Sequence, residues 1–205
     1  MKKIVSLTAL TVIGCLAAGS LSAYVLLSPR RTWSFDPNVR VDSRGNSSIT
    51  DGDLGRTRTR NAIVSTAAWN GAGSGTVVTA TVASISGFRL GDGIPMLNFT
   101  DPTGQCSGGC LAATFTGFYR QRSNGTWEIY DADIVTNRAH AWASLGESCS
   151  SEFYTEAIHV HEVGHLLGLG HTSVGGATMF PSVSACNNGP ASTEADDDNG
   201  INDLY

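Results

Sequence analysis

The sequence predicts an α+β domain in which helices pack on a twisted mixed β-sheet. Strand-like runs and helical periodicity follow one another in the order strand, helix, strands, helix, as expected for helices packed on a mixed sheet. Hydrophobic residues make up 41% of the 205 residues and charged residues only 15%, so the class of disordered chains is excluded. The net charge is −5, and without a basic patch no nucleic-acid partner is expected.

Strands are predicted from runs rich in Val, Thr and Ile that are bounded by Gly-, Asn- or Asp-containing turns. A short strand is expected around Val39 and Val41. Longer strands are predicted at residues 77–85, 94–100, 111–120 and 127–135. Asn124 and Gly125 mark a tight turn, so the last two strands are expected to form a hairpin.

Three helices are predicted, at residues 51–70, 150–168 and 192–205. In the first, apolar side chains recur at helical spacing until Gly71, which is expected to end it. The second is the strongest prediction. Ser150 or Ser151 is expected to cap it, and Glu152 to lie in its first turn, where a carboxylate is favourable.

The first 23 residues are predicted to be a secretory signal peptide. Lys2 and Lys3 precede an apolar run that is too short to span a bilayer, and small residues follow up to Ala23, as in a cleavage site. Two alternatives stay open, an uncleaved anchor and a bacterial lipobox. Residues 12–15 read Val-Ile-Gly-Cys, which would lipidate Cys15 and anchor the protein to a membrane. The protein is thus expected to be secreted or, if lipidated, a cell-envelope lipoprotein. A short linker, residues 24–32, and one folded domain, residues 33–205, are expected to follow.

The cysteine content agrees with export. Removal of Cys15 from the five cysteines leaves four, an even number that fits two disulfides in an oxidising compartment. Four cysteines allow three pairings. The close pair Cys106 and Cys110 suits a tight loop, which leaves Cys149 with Cys186. A four-thiolate zinc site is the alternative, although its ligand pairs are normally short at both ends.

The most informative segment reads His-Glu-Val-Gly-His-Leu-Leu-Gly-Leu-Gly-His from His161 onward. His161 and His165 are four residues apart on a helix, so both imidazoles project from one face and can bind one metal ion. Gly168 permits the left-handed turn that ends the helix and returns His171 to the same metal. Glu162 is close enough to reach a metal-bound water. Three imidazoles with one open position are typical of a catalytic zinc site.

The sequence resembles the metzincin zinc endopeptidases, whose signature is this extended motif followed by a methionine turn. Residues 177–181, Ala-Thr-Met-Phe-Pro, match such a turn. Within the metzincins, the matrixins, which include the matrix metalloproteinases, are the most similar. Their last helix carries Asp-Asp-x-Asp-Gly-Ile, and residues 196–201 read Asp-Asp-Asp-Asn-Gly-Ile. The resemblance extends over residues 33–205 and is strongest from Ala157 onward.

The resemblance implies a metzincin-like zinc metalloprotease catalytic domain. Such a domain has an active-site helix, a second long helix and a small C-terminal subdomain with the methionine turn and the final helix. The implied zinc ligands are His161, His165 and His171. Glu162 is the general base that activates a zinc-bound water to hydrolyse internal peptide bonds. Met179 forms a hydrophobic floor beneath the imidazoles.

The protein is expected to be a monomer. The resemblance also implies where a protein or peptide substrate binds. The substrate lies extended along an edge strand that includes Leu111, Ala112 and Ala113. Pro181 and Val183 line the primary specificity pocket. Two other functions stay open. One is a zinc-binding interaction module, which has no need of a general base, and the other is a zinc hydrolase of non-peptide amides or esters.

Several residues depart from the matrixin pattern or are of a type that can bind a metal ion. Ala113 stands where matrixins with a second, structural zinc carry a His, so one zinc is expected. Asp131 and Asp133 alternate on a predicted strand and are expected to face solvent, with Ca²⁺ binding as the alternative. His159 is expected to be packed or solvated rather than a ligand, and His140 is expected at the surface.

Overall fold

The structure is a computed structural model and describes residues 23–73 and 78–205. Its strands in chain order are β1 (Val25–Leu26), β2 (Arg31–Thr32), β3 (Asn38–Asp42), β4 (Thr79–Ala83), β5 (Met96–Asn98), β6 (Ala112–Gln121), β7 (Trp127–Thr136), β8 (Trp142–Ala143), β9 (Phe153–Tyr154) and β10 (Leu169–Gly170). Its α-helices are α1 (Arg56–Ile63), α2 (Thr155–Leu167) and α3 (Ala195–Leu204). Short 3₁₀ helices lie at Trp69–Gly71 and Gly189–Ala191.

The α+β fold with a mixed sheet is confirmed. β4, β3, β5 and β7 lie side by side as parallel strands, and β2 pairs in parallel with the first residues of β7. The long strand β6 runs antiparallel to β7, from Ala112 opposite Thr136 to Gln121 opposite Trp127. This pair is the hairpin that the turn at Asn124 predicted. β6 forms an edge of the sheet and borders the cleft described below.

Helix α2, which carries the first two histidines of the motif, is held against the sheet by its buried side. Two tryptophans fix its position, because Trp33 Nε1 donates to the Leu166 carbonyl at 2.9 Å and Trp69 Nε1 donates to the Val160 carbonyl at 2.8 Å. Both indoles are nearly fully buried, so each N–H needs such a partner. The main core combines residues of the helix and the strands, among them Val39, Val41, Leu97, Ile129, Ile134, Val160, Val163, Leu166 and Leu167.

The helix expected at residues 51–70 is shorter, so the second helix of the domain is not long. α1 has 8 residues and ends at Ile63. Before it, Leu54 and Gly55 adopt positive φ angles of 56° and 76°, which no continuous right-handed helix contains. Asp51 stabilises this turn, because its Oδ1 accepts the main-chain N–H groups of Asp53 and Gly55, both at 3.0 Å.

The start of α2 also differs from the expectation. The helix begins at Thr155, with Tyr154 as its N-cap residue, so neither Ser150 nor Ser151 caps it. Their main-chain N–H groups instead donate to Glu152 Oε2, at 2.6 and 2.9 Å. The physical reason is a local strand pairing, since β9 pairs with β8 and keeps the chain extended until the helix starts. Glu156, not Glu152, lies in the first turn.

Residues 24–32, expected to be a short linker, are part of the packed domain. β1 pairs with β10, directly before His171, and β2 pairs with β7. The predicted signal peptide with Cys15 lies almost entirely outside the described residues, as does the first residue of the strand expected at 77–85. In residues 23–73 and 78–205, no helix is long and apolar enough to cross a membrane.

Candidate active site and metal centre

The histidine motif occupies the end of α2 and the turn that follows. His161, Glu162 and His165 lie on the helix, and Gly168 ends it with φ 113° and ψ 8°. A Cβ at Gly168 would lie 2.8 Å from the carbonyl oxygen of Arg31, so this turn requires glycine for space as well as for its backbone angles. The chain then passes through β10 and brings His171 back to the helix.

The three predicted zinc ligands converge on one point. His171 Nε2 lies 3.3 Å from His161 Nε2 and 3.1 Å from His165 Nε2. Nitrogen atoms that bind one zinc ion tetrahedrally at about 2.0–2.1 Å are separated by about 3.3 Å, so the spacing fits a single zinc ion. The three side chains also form a group whose ligand atoms lie within 4.8 Å of one another.

Hydrogen bonds at the other ring nitrogens prepare the imidazoles for a metal. His161 Nδ1 lies 2.5 Å from the Thr178 carbonyl and His165 Nδ1 lies 2.8 Å from the Leu169 carbonyl. Carbonyls only accept, so each Nδ1 carries the proton and each Nε2 presents a lone pair. Burial lowers the pKa of His165 and of His171, which favours the neutral form that zinc requires.

The methionine turn lies under the helix. Met179 is 2% exposed, and a Cβ at Gly164 would lie 2.3 Å from its sulfur, so only glycine permits this close packing. Asp197 in α3 accepts the main-chain N–H groups of Thr178 at 2.7 Å and Met179 at 3.0 Å. The last helix therefore holds the turn whose Thr178 carbonyl orients His161.

A cavity of about 460 Å³ opens beside the histidines. His161, Glu162 and His171 line one side of it, and most of the remaining lining is apolar. Of the five residues predicted to contact substrate, the structure places four on this lining, namely Leu111, Ala112, Pro181 and Val183. Ala113 follows Ala112 in β6, and strand alternation directs its side chain to the opposite face.

Sequence reasoning missed several residues of this cavity, among them His140 and Phe153. His140, expected at the surface, is half-buried and lines the cavity together with Phe153. Its Nε2 lies 3.0 Å from the Gly108 carbonyl and 3.2 Å from the Cys110 carbonyl, and its ring meets Phe153 edge-on at 5.7 Å. An isolated His in a loop carries no local signal for such a position.

The two predicted disulfides are present, and each reaches one wall of the cavity. Cys106 bonds to Cys110 and Cys149 bonds to Cys186. Cys110 itself lines the cavity next to Leu111. Cys186 follows the opposite wall, where Val183 lies, and its main-chain N–H donates to the Glu152 carbonyl at 2.9 Å. Because both pairs are bonded, the four-thiolate zinc alternative is wrong.

His159 is packed, as expected, and lies away from the metal centre. It is fully buried, stacks on Trp142 at 6.3 Å and meets Phe99 edge-on at 5.4 Å. Nε2 lies 2.9 Å from Thr136 Oγ1, and Nδ1 lies 2.7 Å from the Thr155 carbonyl. Burial lowers the pKa of His159 to about 4, so the ring is neutral at neutral pH.

Asp131 and Asp133 do not face solvent, so that expectation is wrong. Both are 0% exposed on β7, because strand alternation shows which residues share a face and not what covers it. Burial, and then the neighbouring Asp131, raise the pKa of Asp133 to about 8. The amides of Gly91 and Gly93 approach Asp131, yet among the described residues neither of its oxygens has a well-formed hydrogen bond.

No second cluster of histidines appears in the described part of the chain. The other group of ligand-type side chains there is Cys149, Glu152 and Cys186, whose cysteines are bonded to each other. Ala113 lies opposite Val135 in the β6–β7 hairpin, before the register shifts that begin after Phe115. One zinc per chain therefore stays the prediction.

Two imidazoles on α2 and a third after the turn that ends it, above a methionine turn and inside an α+β fold, resemble a metzincin site. Comparison with known proteins agrees. Residues 105–205 match the family model described as Matrixin. This segment, about half of the chain, belongs to the matrixin-like metzincins.

Three plant proteins are similar over shorter segments. Metalloendoproteinase 5-MMP of Arabidopsis thaliana is 52% identical over 52 residues, which are 24% of this chain and 14% of that protein. Metalloendoproteinase 1 of Glycine max is 40% identical over 68 residues, 31% of this chain and 22% of that protein. Metalloendoproteinase 4-MMP of Arabidopsis thaliana is 38% identical over 82 residues, 39% of this chain and 24% of that protein. The alignments thus span under a quarter of each relative.

Proposed function

We propose that the protein is a secreted zinc-dependent endopeptidase that hydrolyses internal peptide bonds of protein or peptide substrates. The observation that carries this proposal is Glu162 next to three converging imidazoles, two of which, those of His161 and His171, line the same cavity as Glu162. A carboxylate in this place suits a general base, which a module that only binds zinc does not need. Membership of the matrixin-like metzincins and the names of the plant relatives support the same activity.

The zinc would be held by His161, His165 and His171. When bound, zinc supplies Lewis acidity that activates water and polarises the scissile carbonyl group. Glu162 accepts the proton of the attacking water and delivers it to the leaving amine. Glu162 is only 6% exposed and lines the cavity, so its carboxylate is accessible mainly from the cavity. Met179 supports the imidazoles from below without touching the reacting atoms.

The substrate is proposed to lie extended along the edge strand β6, where main-chain groups can pair with it as an added strand. The side chain next to the scissile bond then enters the cavity between Leu111 and Val183. Phe153 and Ile158 also line this cavity, so an apolar side chain is favoured there. Pro181 also lines this cavity and is proposed to limit the width of the specificity pocket.

Calcium is a further proposed ligand, at Asp131 and Asp133. Two buried carboxylates next to each other are costly when both are ionised, and a divalent cation removes that cost. Ca²⁺ is expected to raise the melting temperature of the wild type. Loss of that shift in an Asp131→Asn variant would support the site, and an equal shift in both proteins would place calcium elsewhere.

The secreted location has its own test. Two disulfides persist in oxidising compartments, which supports export, whereas Cys15 and the signal peptide lie outside the described residues. N-terminal sequencing and intact mass of the exported protein distinguish the predictions. A mature chain that starts near Ala23 supports cleavage by signal peptidase, and a lipidated Cys15 supports the envelope lipoprotein.

Digestion of casein or gelatin tests the activity. We expect cleavage by the zinc-loaded protein, its loss with a chelator and its recovery with added zinc. Glu162→Gln is expected to abolish cleavage while zinc stays bound, because Glu162 is not a ligand. Cleavage by this variant would contradict the role of Glu162 as general base, and loss of its zinc would contradict the statement that Glu162 is not a ligand. Hydrolysis of esters without hydrolysis of proteins would favour the non-peptide hydrolase.

A further inference from the structure

The side chain of Thr114 reaches from the edge strand β6 to the general base. Thr114 Oγ1 lies 2.5 Å from Glu162 Oε2 and 2.9 Å from the main-chain carbonyl oxygen of the same residue. Thr114 is paired with Ile134 in the sheet, and Glu162 lies on α2, so both partners stand on regular elements. Among the described residues, no other hydrogen bond is found to the carboxylate of Glu162.

We propose that Thr114 is a positioning residue for catalysis, whose hydroxyl group holds Oε2 of Glu162 and leaves Oε1 to receive the proton of the attacking water. This proposal rests on the proposed function. An ionised carboxylate only accepts hydrogen bonds, so the Thr114 hydroxyl must be the donor. A hydrogen bond to a charged acceptor is stronger than a neutral one.

The need for such a bond follows from the length of the Glu162 side chain. A glutamate has three rotatable bonds, and a general base works only when its oxygen lies within hydrogen-bond reach of the proton it removes. Errors of about 1 Å in such a position cost up to about 100-fold in rate. Glu162 is only 6% exposed, and among the described residues Thr114 Oγ1 is the donor found on its carboxylate, so this fixed donor sets its orientation.

Threonine suits this role better than a more flexible donor. Its branched Cβ restricts χ1, and Ala112 and Thr114 share the face of β6 that is turned toward α2 and the cavity. The same strand is proposed to bind the substrate. A single rigid element would therefore align both the peptide and the base that acts on it.

A purely structural link between β6 and α2 is the competing explanation. The contact between Thr114 and the Glu162 main-chain carbonyl serves such a link, and it does not involve the carboxylate. The two explanations differ in one respect, because only the positioning role makes the effect of the hydroxyl depend on the Glu162 side chain.

The first test is kinetic and uses a zinc-loaded enzyme with a quenched peptide substrate. Thr114→Val, which removes only the hydroxyl group, is expected to lower kcat by about 10–100-fold with KM and zinc content unchanged. Thr114→Ser is expected to restore most of the rate. Thr114→Ala is measured in parallel, so that a packing defect in one variant does not decide the result. Thr116→Val is the matched control, since Thr116 lies on the same strand as Thr114 and its hydroxyl accepts from Arg31 of β2 instead of contacting Glu162.

The second test needs neither zinc nor activity. In the metal-free protein, Thr114→Val is expected to lower the melting temperature by about 2–6 °C, and by clearly less in a Glu162→Ala background. Equal shifts in both backgrounds would overturn the proposal, as would a rise in KM at constant kcat, or a Thr114→Ser variant as slow as Thr114→Val. If the wild type cleaves no peptide, the proposed function fails, while the melting cycle still reports whether the two side chains are coupled.

Discussion

Two histidines on α2, only two residues apart, have opposite roles in the molecule. His161 lies on the lining of the cavity, where its Nε2 meets that of His171. His159 lies on the other side of the helix and is fully buried between Trp142 and Phe99. The same residue type in the same helix thus lies in the proposed metal centre on one face and in the core on the other.

The difference lies in what the ring nitrogens meet. At His161, Nδ1 is bonded to the Thr178 carbonyl and Nε2 faces another imidazole nitrogen, so a lone pair is left for a metal. At His159, both nitrogens lie within hydrogen-bond distance of Thr136 and Thr155. Satisfied nitrogens make a structural histidine, and converging lone pairs make a ligand.

The largest effect is expected at the metal face. His161→Ala removes one of three ligands, so zinc content should fall well below the single ion per chain expected of the wild type. Peptide cleavage should fall by at least about 10³-fold. The melting temperature of the metal-free protein should change little, because His161 is not in the core. Retention of zinc at wild-type affinity would contradict the ligand assignment.

Reduction of the Cys149–Cys186 disulfide should destabilise the cavity side and the core side of α2 together. The bond joins residues 37 apart in the sequence and encloses α2 and the methionine turn, so its loss should cost up to about 4 kcal/mol in the free energy of unfolding. Denaturant unfolding of the Cys149→Ser/Cys186→Ser variant measures this. The matched control is Cys106→Ser/Cys110→Ser, whose bond spans 4 residues and should cost about 2 kcal/mol. Equal losses would show that loop length does not decide the effect.

The metal face could be predicted from sequence because its information is local. His161, Glu162 and His165 share a helical turn, and Gly168 provides the bend that returns His171. The fold class and the hairpin were predictable for the same reason, since periodicity and turn residues act over a few positions. Both disulfide pairs also followed from spacing and elimination.

The rest depends on contacts between distant segments. Thr114 meets a residue 48 positions away and His140 one 30 positions away, and neither contact leaves a pattern in the sequence. The late start of α2 has a similar cause, because β9 is held extended by pairing with β8. Asp131 and Asp133 show the same limit, since the covering loop at Gly91 and Gly93 is remote in sequence.

Substitution on the core face should affect stability and spare zinc. His159→Leu keeps the volume roughly but leaves the hydroxyl of Thr136 and the carbonyl of Thr155 with less hydrogen bonding. The expected cost is about 3 kcal/mol in the free energy of unfolding, with zinc content unchanged. His140→Ala, at a half-buried loop position, is the control and should cost under about 1 kcal/mol. If His159→Leu lost zinc but kept the wild-type free energy of unfolding, His159 would be a metal ligand and not a core residue.

The smallest expected effect is a dependence of stability on pH that originates at His159. Its pKa is lowered from 6.5 to about 4 in the folded protein. Below pH 6.5, the unfolded chain therefore binds a proton that the folded chain does not, so acid favours unfolding until pH 4 is reached. Above pH 6.5 both states are neutral and the contribution is constant. The loss amounts to about 2 kcal/mol at pH 5.

The measured quantity is the difference in free energy of unfolding between the metal-free wild type and metal-free His159→Leu. It is followed from pH 7.5 to 5 by denaturant unfolding. Metal-free protein is required because acid also releases zinc by protonating its ligands. The comparison with His159→Leu is required because Asp133 acts in the opposite direction. Its pKa is raised to about 8 in the folded protein, so its folded carboxyl group already holds a proton at pH 7. Acid therefore stabilises the folded protein at that site. Asp133 is present in both proteins and cancels. Stability curves that stay parallel down to pH 5 would show that His159 is protonated in the fold, and that the two faces of α2 differ less than their geometry indicates.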